Sequence, residues 1–168
     1  MKYLIAFVLL LHSSRLVAQH RQIPTTSEFV IGGAVKKVMK YQVRDLMAMK
    51  QDNLGDVIMH SHRTDTVHEV KGILLKTIVD SANVTAEKPK AYNEMVIVLT
   101  ASDGYKSVYS WNELFNSDIG NHVYLLTALN GKTLDQLDDR IAVVSLSDIF
   151  AGRRHLKGLT KIEVKKVE

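Results

Sequence analysis

The chain has 168 residues, 46% of them hydrophobic, with 22 Lys and Arg against 18 Asp and Glu. It has no cysteine, which excludes disulfides, thiolate metal ligands and a cysteine nucleophile. A formal charge of only +4 gives no electrostatic footprint for nucleic acid, and no such partner is expected.

Met1-Lys2 precede an apolar run, Tyr3–Leu11, and Leu16-Val17-Ala18 ends on a small residue. A basic start, a short apolar core and a small residue before the cut predict a secretory signal peptide over residues 1–18. The run is far short of the roughly 20 residues that span a bilayer. Cleavage removes Lys2 and Arg15, so 20 basic side chains face 18 acidic ones in the remaining 150 residues. That length suits one core. The expected product is periplasmic or secreted, with no integral membrane segment after cleavage. No cysteine is present to carry a lipid anchor.

Residues 19–27 are polar with one Pro and predict a flexible lead-in, after which one domain fills 28–168. Glu28–Val35 reads as a strand broken by Gly32-Gly33, where a bulge or a close backbone approach is expected. Lys36-Lys37 turns it into a partner strand, Met39–Val43, and Val43, Leu46, Met47 and Met49 have the spacing of a short amphipathic helix. Gln51–Gly55 reads as a loop. Asp56–His62 is a strand candidate, turned by Arg63–Thr66 into Val67–Val70. Ile73, Leu74, Leu75, Ile78 and Val79 form an apolar stripe at helical period ending near Ala82-Asn83, and Thr85–Asn93 reads as a solvated loop.

The strongest local pattern is Val96–Glu113. Met95–Thr100 is an apolar, β-branched run typical of a strand buried on both faces. Ser102-Asp103-Gly104 supplies turn chemistry, and Ser107–Ser110 alternates weakly as the return strand. Ser110 and Glu113 have the spacing of a capping box, so a short helix should begin at Trp111. His122–Leu129 reads as a strand turned at Asn130-Gly131, Arg140–Leu146 as a buried strand, and Asp148–Gly158 as a polar connection. Thr160–Val167 closes the pattern as an alternating strand with one wet face. The expected fold class is strand-rich α+β, with mixed sheets and a few short helices.

Several of these residues carry a resemblance. Gly72 with Leu74, Leu75 and Ile78, then Ala101-Ser-Asp-Gly-Tyr105, then Ser110, Glu113 and Leu114 resemble the oxidoreductase molybdopterin-binding domain, the fold of sulfite oxidases and their short bacterial relatives. Leu125-Leu126, Asn130-Gly131, Leu134, Ile141–Ser145 and Arg154 through Val164 continue the likeness from about Phe29 to Val167. The resemblance implies a molybdopterin cofactor, with molybdenum held by the pterin dithiolene and one protein cysteine in the strand–loop before the Gly-x-x-Leu segment. Here that region reads Ile58-Met-His-Ser-His-Arg63, without cysteine, so soft thiolate ligation by the protein is excluded. Arg154-His155 and Arg140 also stand where relatives more often show Arg-Trp and Pro. Molybdopterin is thus a candidate cofactor, while catalytic molybdenum is not expected.

Candidate site residues follow. His60 and His62 share a strand face by alternation and His68 stands on the return strand; three imidazoles suit zinc, copper or nickel, and three exposed polar residues would look the same. Arg63, Arg153, Arg154, His155 and Lys157 form either an anion pocket or a solvated basic loop. Asp103 and Tyr105 match landmarks of the resemblance, yet Asp103 is also explained as a turn former and Tyr105 as a packing residue. No nucleophile elbow, zincin helix or phosphate loop is present. Three functions remain open: an exported binder of a small acidic ligand or a periplasmic protein, an oxidoreductase holding its cofactor with His60 or His62 in place of cysteine, and a histidine metal module.

Overall fold

In the alternation of Met95, Ile97, Leu99 and Ala101 with Val96, Val98 and Thr100, the first row is buried and the second half-buried. This strand was expected to be covered on both faces; only one face meets the core. A computed structural model describes residues 23–60, 64–138 and 140–167 of the chain. The signal-peptide stretch, His62 and Arg63 lie outside the described residues.

The strands are β1 (Glu28–Gly33), β2 (Met39–Gln42), β3 (Asp52–His60), β4 (Thr64–Leu74) and β5 (Met95–Ala101), then β6 (Lys106–Ser110), β7 (Val123–Leu129), β8 (Lys132–Thr133), β9 (Val143–Ser145) and β10 (Leu159–Lys166). Three short helices are α1 (Val43–Ala48), α2 (Leu75–Asp80) and α3 (Trp111–Phe115). One sheet runs β2-β1-β10-β5-β6 and is mixed, since β1 and β10 are parallel while the other pairs are antiparallel. The second runs β3-β4-β7-β8, with β9 also on β7, and is antiparallel throughout. The protein is therefore strand-rich α+β, as expected, although only one of its sheets is mixed.

The larger core lies between the sheets, where Phe29, Ile31, Ile97, Leu99 and Ile162 of the first meet Ile73, Leu125 and Val143 of the second. A smaller one, including Val70, Tyr124, Leu126 and Val144, covers the other face of the second sheet. The strand buried on both faces is β7, whose first six residues are all buried.

The central hairpin forms as read, and the Ser110–Glu113 capping box is present at the start of α3. The close approach expected at Gly32-Gly33 is real. Gly33 has φ +93°, and a Cβ there would collide with the Val164 carbonyl of β10.

Other elements differ from the sequence reading. Gln51–Gly55 is largely strand, because Asp52 and Asn53 pair with Gly72 and Lys71, and irregular register at Gly55 absorbs the mismatch. The pairing of β3 with β4 begins earlier than expected, since Thr64, Asp65 and Thr66, read as part of the turn, already pair with His60, Met59 and Ile58. Ile73 and Leu74 belong to β4 rather than to a helix, because they pair with Leu125 and Tyr124; cross-strand pairing overrides the helical period. The Thr85–Asn93 loop holds a 3-10 turn at Pro89–Glu94 that buries Ala91. The strand predicted over Arg140–Leu146 shrinks to β9, since Ile141 sits at φ +59°, a region costly for a β-branched residue.

The lead-in through Ser27 is also anchored over its described part. Thr25 Oγ1 donates to the Asp138 carbonyl at 2.9 Å and Thr26 Oγ1 to the Arg140 carbonyl at 2.9 Å, and Val43 N donates to the Ser27 carbonyl. Among the described residues no helix is long and apolar enough to cross a membrane.

Candidate functional site

The turn after β5 is built as its residue types dictate. Asp103 Oδ1 accepts the Tyr105 amide at 2.9 Å, and the Gly104 amide closes the turn on the Ala101 carbonyl. Two more bonds fasten it to distant segments: the Ser102 amide donates to the Gly158 carbonyl at 2.8 Å and Ser102 Oγ to the Pro24 carbonyl at 2.7 Å. On the other side, Tyr105 Oη donates to the Arg153 carbonyl at 2.5 Å. The turn is thus clamped between the N-terminal stretch and the connection leading into β10.

Those clamps define a cleft of about 240 Å³ lined by Ile23, Asp103, Tyr105, Gly152, His155 and Lys157. Four of the candidate residues meet here: Asp103, Tyr105, His155 and Lys157. The last two also interact within the chain. The cleft offers one carboxylate, one phenol, an imidazole and an ammonium, a set able to orient a small anion. Asp103 is both a turn former and a cleft residue, so the two readings of it do not compete.

Arg153 and Arg154 do not line this cleft. The Arg153 guanidinium lies 5.4 Å from the centre of the Phe150 ring. Arg154 is half-buried and engaged by carboxylates. Its Nε donates to Asp148 Oδ2 at 2.6 Å, its Nη2 to Asp148 Oδ1, and its Nη1 to Glu113 Oε1 at 3.1 Å. The guanidinium also packs 4.5 Å from the centre of the Tyr109 ring.

Burial pushes the Asp148 carboxyl up, but hydrogen bonds from Arg154 and Ser145 outweigh it and hold the group below its usual range. Tyr109 is fully buried, and that burial pushes its phenol up to about 12 despite the nearby Arg154. Ser107 bears on the same phenol, yet among the described residues neither hydroxyl makes a hydrogen bond of normal geometry.

The sequence places Glu113 in the helix cap and Tyr109 on the return strand, and both stand there; no local pattern announces their contact with Arg154. Glu113 serves the cap with Oε2, which accepts the Ser110 amide at 2.7 Å, and Arg154 with Oε1. Asp148 was overlooked. The available signal was an Asp six positions before an Arg within one polar connection, which is not a local motif.

Of the three histidines, His62 is outside the described residues and only the backbone of His60 is placed, opposite Thr64. His68 is four positions further along β4, roughly 13 Å away at strand rise. Its Nδ1 is 2.9 Å from Asp56 Oδ2, which helps hold that carboxyl below its usual range. Its backbone exchanges hydrogen bonds with Asn130 across the turn after β7, at 2.9 and 2.8 Å. His68 therefore secures an irregular strand segment. Among the described residues no group of three His, Asp or Glu is placed to hold a metal. Arg63 is outside the described residues.

The class this architecture defines is a strand-rich α+β fold of two sheets around one interlayer core. No family model matches the chain, and no curated protein sequence matches it at a significant level. Among solved structures it is similar to the sulfane dehydrogenase SoxCD from Paracoccus pantotrophus, with a TM-score of 0.59 and 14% identity over 82% of this chain. The match spans 38% of the SoxCD chain, well under half its length. Likeness at that identity shows a shared fold.

Proposed function

We propose that the chain is an exported binding domain of the molybdopterin-binding oxidoreductase fold, which takes a small acidic ligand and performs no molybdenum chemistry of its own. The observation that carries this reading is the convergence of Asp103, Tyr105, His155 and Lys157, from two separate segments, on one cleft. Lys157 supplies positive charge and His155 a ring nitrogen able to hydrogen-bond, and the Tyr105 phenol, fixed on the Arg153 carbonyl, sets one wall. Ile23 gives an apolar edge. Membership of the molybdopterin-binding family rests on the sequence landmarks and on the fold shared with a sulfane dehydrogenase.

The residues present do not fit a thiolate-held molybdenum centre, because the whole chain lacks cysteine. A redox reading keeps one supporting observation, the fold likeness itself, and function lives in the site rather than the fold. It would place His60 or His62 near a pterin-bound metal.

One preparation separates the readings. The full chain is expressed in a host that makes molybdenum cofactor and purified without a histidine tag, then its metals and the pterin fluorescence of the denatured extract are measured. Inorganic phosphate and sulfate are titrated in parallel, with amide shifts of Tyr105 and His155 as the readout. The binding reading expects no molybdenum and saturable shifts that weaken in Lys157→Ala. Molybdenum and pterin near one per chain would overturn it in favour of the oxidoreductase. Fractionation of the host tests export, with recovery of a shortened chain outside the cytoplasm as the expected result.

A further inference from the structure

Of the asparagines in the chain, only Asn130 is followed by glycine. The pair forms the two-residue turn between β7 and β8, where Asn130 has φ +51° and Gly131 φ +75°, the left-handed combination of a type I′ turn. Both residues are exposed. The Asn130 side chain is gripped from one side. Its Oδ1 accepts the His68 amide at 2.9 Å, whereas its Nδ2 and the Gly131 amide make no hydrogen bond among the described residues.

Three features of this corner favour one reaction. Gly131 has no side chain, so its nitrogen is less hindered than that of any other residue following an asparagine in the chain. The His68 amide donates to Asn130 Oδ1, where negative charge develops when the Cγ carbonyl is attacked, and so stabilises that charge. The backbone rotation that brings the Gly131 nitrogen to Cγ disrupts little, since β8 is only Lys132–Thr133 and pairs with β7 through Ala128 and Leu129 alone. Other asparagines are worse placed. Asn53 and Asn83 precede the bulky Leu54 and Val84, and Asn112 lies in α3. Asn116, before Ser117, is the nearest competitor.

From this arrangement we infer that Asn130 is a site of self-modification, where the folded chain converts its own side-chain amide to an acid through a succinimide. The Gly131 amide nitrogen gives its electron pair to Asn130 Cγ and closes the ring. The Cγ–Nδ2 bond breaks, and ammonia leaves with the proton that Gly131 loses. Water then opens the ring. Breaking the new bond between the nitrogen and Cγ gives aspartate; breaking the original peptide bond to Gly131 gives isoaspartate, with the main chain rerouted through Cγ. No electron is transferred, and water is the only co-reactant. Either product adds a carboxylate to the corner that already holds Asp56 and Glu69. Isoaspartate also adds a backbone atom to the turn, which uncouples it from His68. The inference is independent of the cleft beside Asp103 and Tyr105.

The experiment incubates the full chain, folded and in parallel unfolded in guanidinium chloride, at neutral and mildly alkaline pH. Its peptides are followed by mass spectrometry that separates aspartate from isoaspartate. In the folded chain the Asn130 peptide should convert first, with isoaspartate in excess, at a rate within about tenfold of the unfolded chain's. The Asn116 peptide should lag far behind. Gly131→Ala should slow conversion in both states; its added Cβ meets only the end of the Glu69 side chain, at 3.4 Å. The converted fraction, separated by its extra negative charge, should show faster hydrogen exchange at the His68 amide while the amides of β5 keep their protection. The inference is overturned if Asn130 stays intact in the folded chain while the unfolded chain converts it, or if Asn116 converts as fast. Aspartate formed without isoaspartate would overturn it too, because that outcome bypasses the succinimide.

Discussion

Replacing Arg154 with Met removes the charge while keeping much of the stem, and so isolates the network between the connection into β10 and the start of α3. Arg154 is 21% exposed and Asp148 15%, so that pair is near the buried limit; Glu113, at 36%, is nearer the surface limit. Breaking a buried pair by removing one partner costs about 3–5 kcal/mol, whereas an exposed pair contributes about 0–1. Loss of the contact over Tyr109 adds about 0.5–1 kcal/mol, and the retained Met packing offsets part of the sum. We expect about 3 kcal/mol at neutral pH, seen in urea unfolding followed by circular dichroism, and a melting temperature lower by about 6–12 °C. Adding Asp148→Asn to Arg154→Met should recover part of that loss, because it removes the stranded carboxylate.

The pH dependence has a definite sign. The Asp148 carboxyl is held below its ordinary 3.8 in the folded protein, so its contribution is complete above that value and disappears as pH falls through the lower folded value. The gap between wild type and Arg154→Met should therefore narrow below about pH 4. A loss under about 1 kcal/mol at pH 7, or an Asp148→Asn change that deepens the loss, would refute the reasoning.

Further outcomes are expected elsewhere. Gly33→Ala combines a left-handed φ with a collision at the Val164 carbonyl and should cost about 3 kcal/mol in denaturant unfolding, separating β1 from β10. Leu125→Ala, fully buried between the sheets, should cost about 2–5 kcal/mol, while Ser110→Ala should cost about 1 kcal/mol through the lost cap. Glu163, between Lys161 and Lys165 on the wet face of β10, has its carboxyl held down at about 2 by those two ammonium groups. Its stabilisation is present above the ordinary 4.5 and is lost as pH falls toward 2, so carbon-detected NMR should place its midpoint near pH 2 rather than 4.5.

Elements coded by local chemistry were legible in the sequence. The Asp103-Gly104 turn, the Ser110–Glu113 cap and the alternation of β10 depend on side chains within a few positions of one another. Elements decided by a distant partner were not. Ile73 and Leu74 have helical spacing but pair with β7, and Asp52-Asn53 has loop composition but pairs with β4. The left-handed Ile141 that shortens β9 goes against its own propensity, and no neighbour in sequence announces it. The candidate site divides the same way. Asp103 and Tyr105 lie in a recognisable turn, whereas the Asp148–Arg154–Glu113 network joins residues whose association only the tertiary fold creates. The basic residues of one connection were grouped by charge; the fold distributes them between a cleft, an internal ion pair and the face of a phenyl ring.

The placement of β10 constrains how the protein can come to be folded. It is the last of the described strands in sequence, yet it sits in the middle of its sheet, with β1 on one side and β5 on the other. Until it is present, β1–β2 and β5–β6 are two separate hairpins, each with an open edge and an apolar face turned to solvent. Val30 must then find Lys161 across almost the whole intervening chain, a long loop closure that slows assembly. A growing chain therefore passes through synthesis with this sheet unassembled. Any factor that shields those hairpins would have to act before the last strand locks between them.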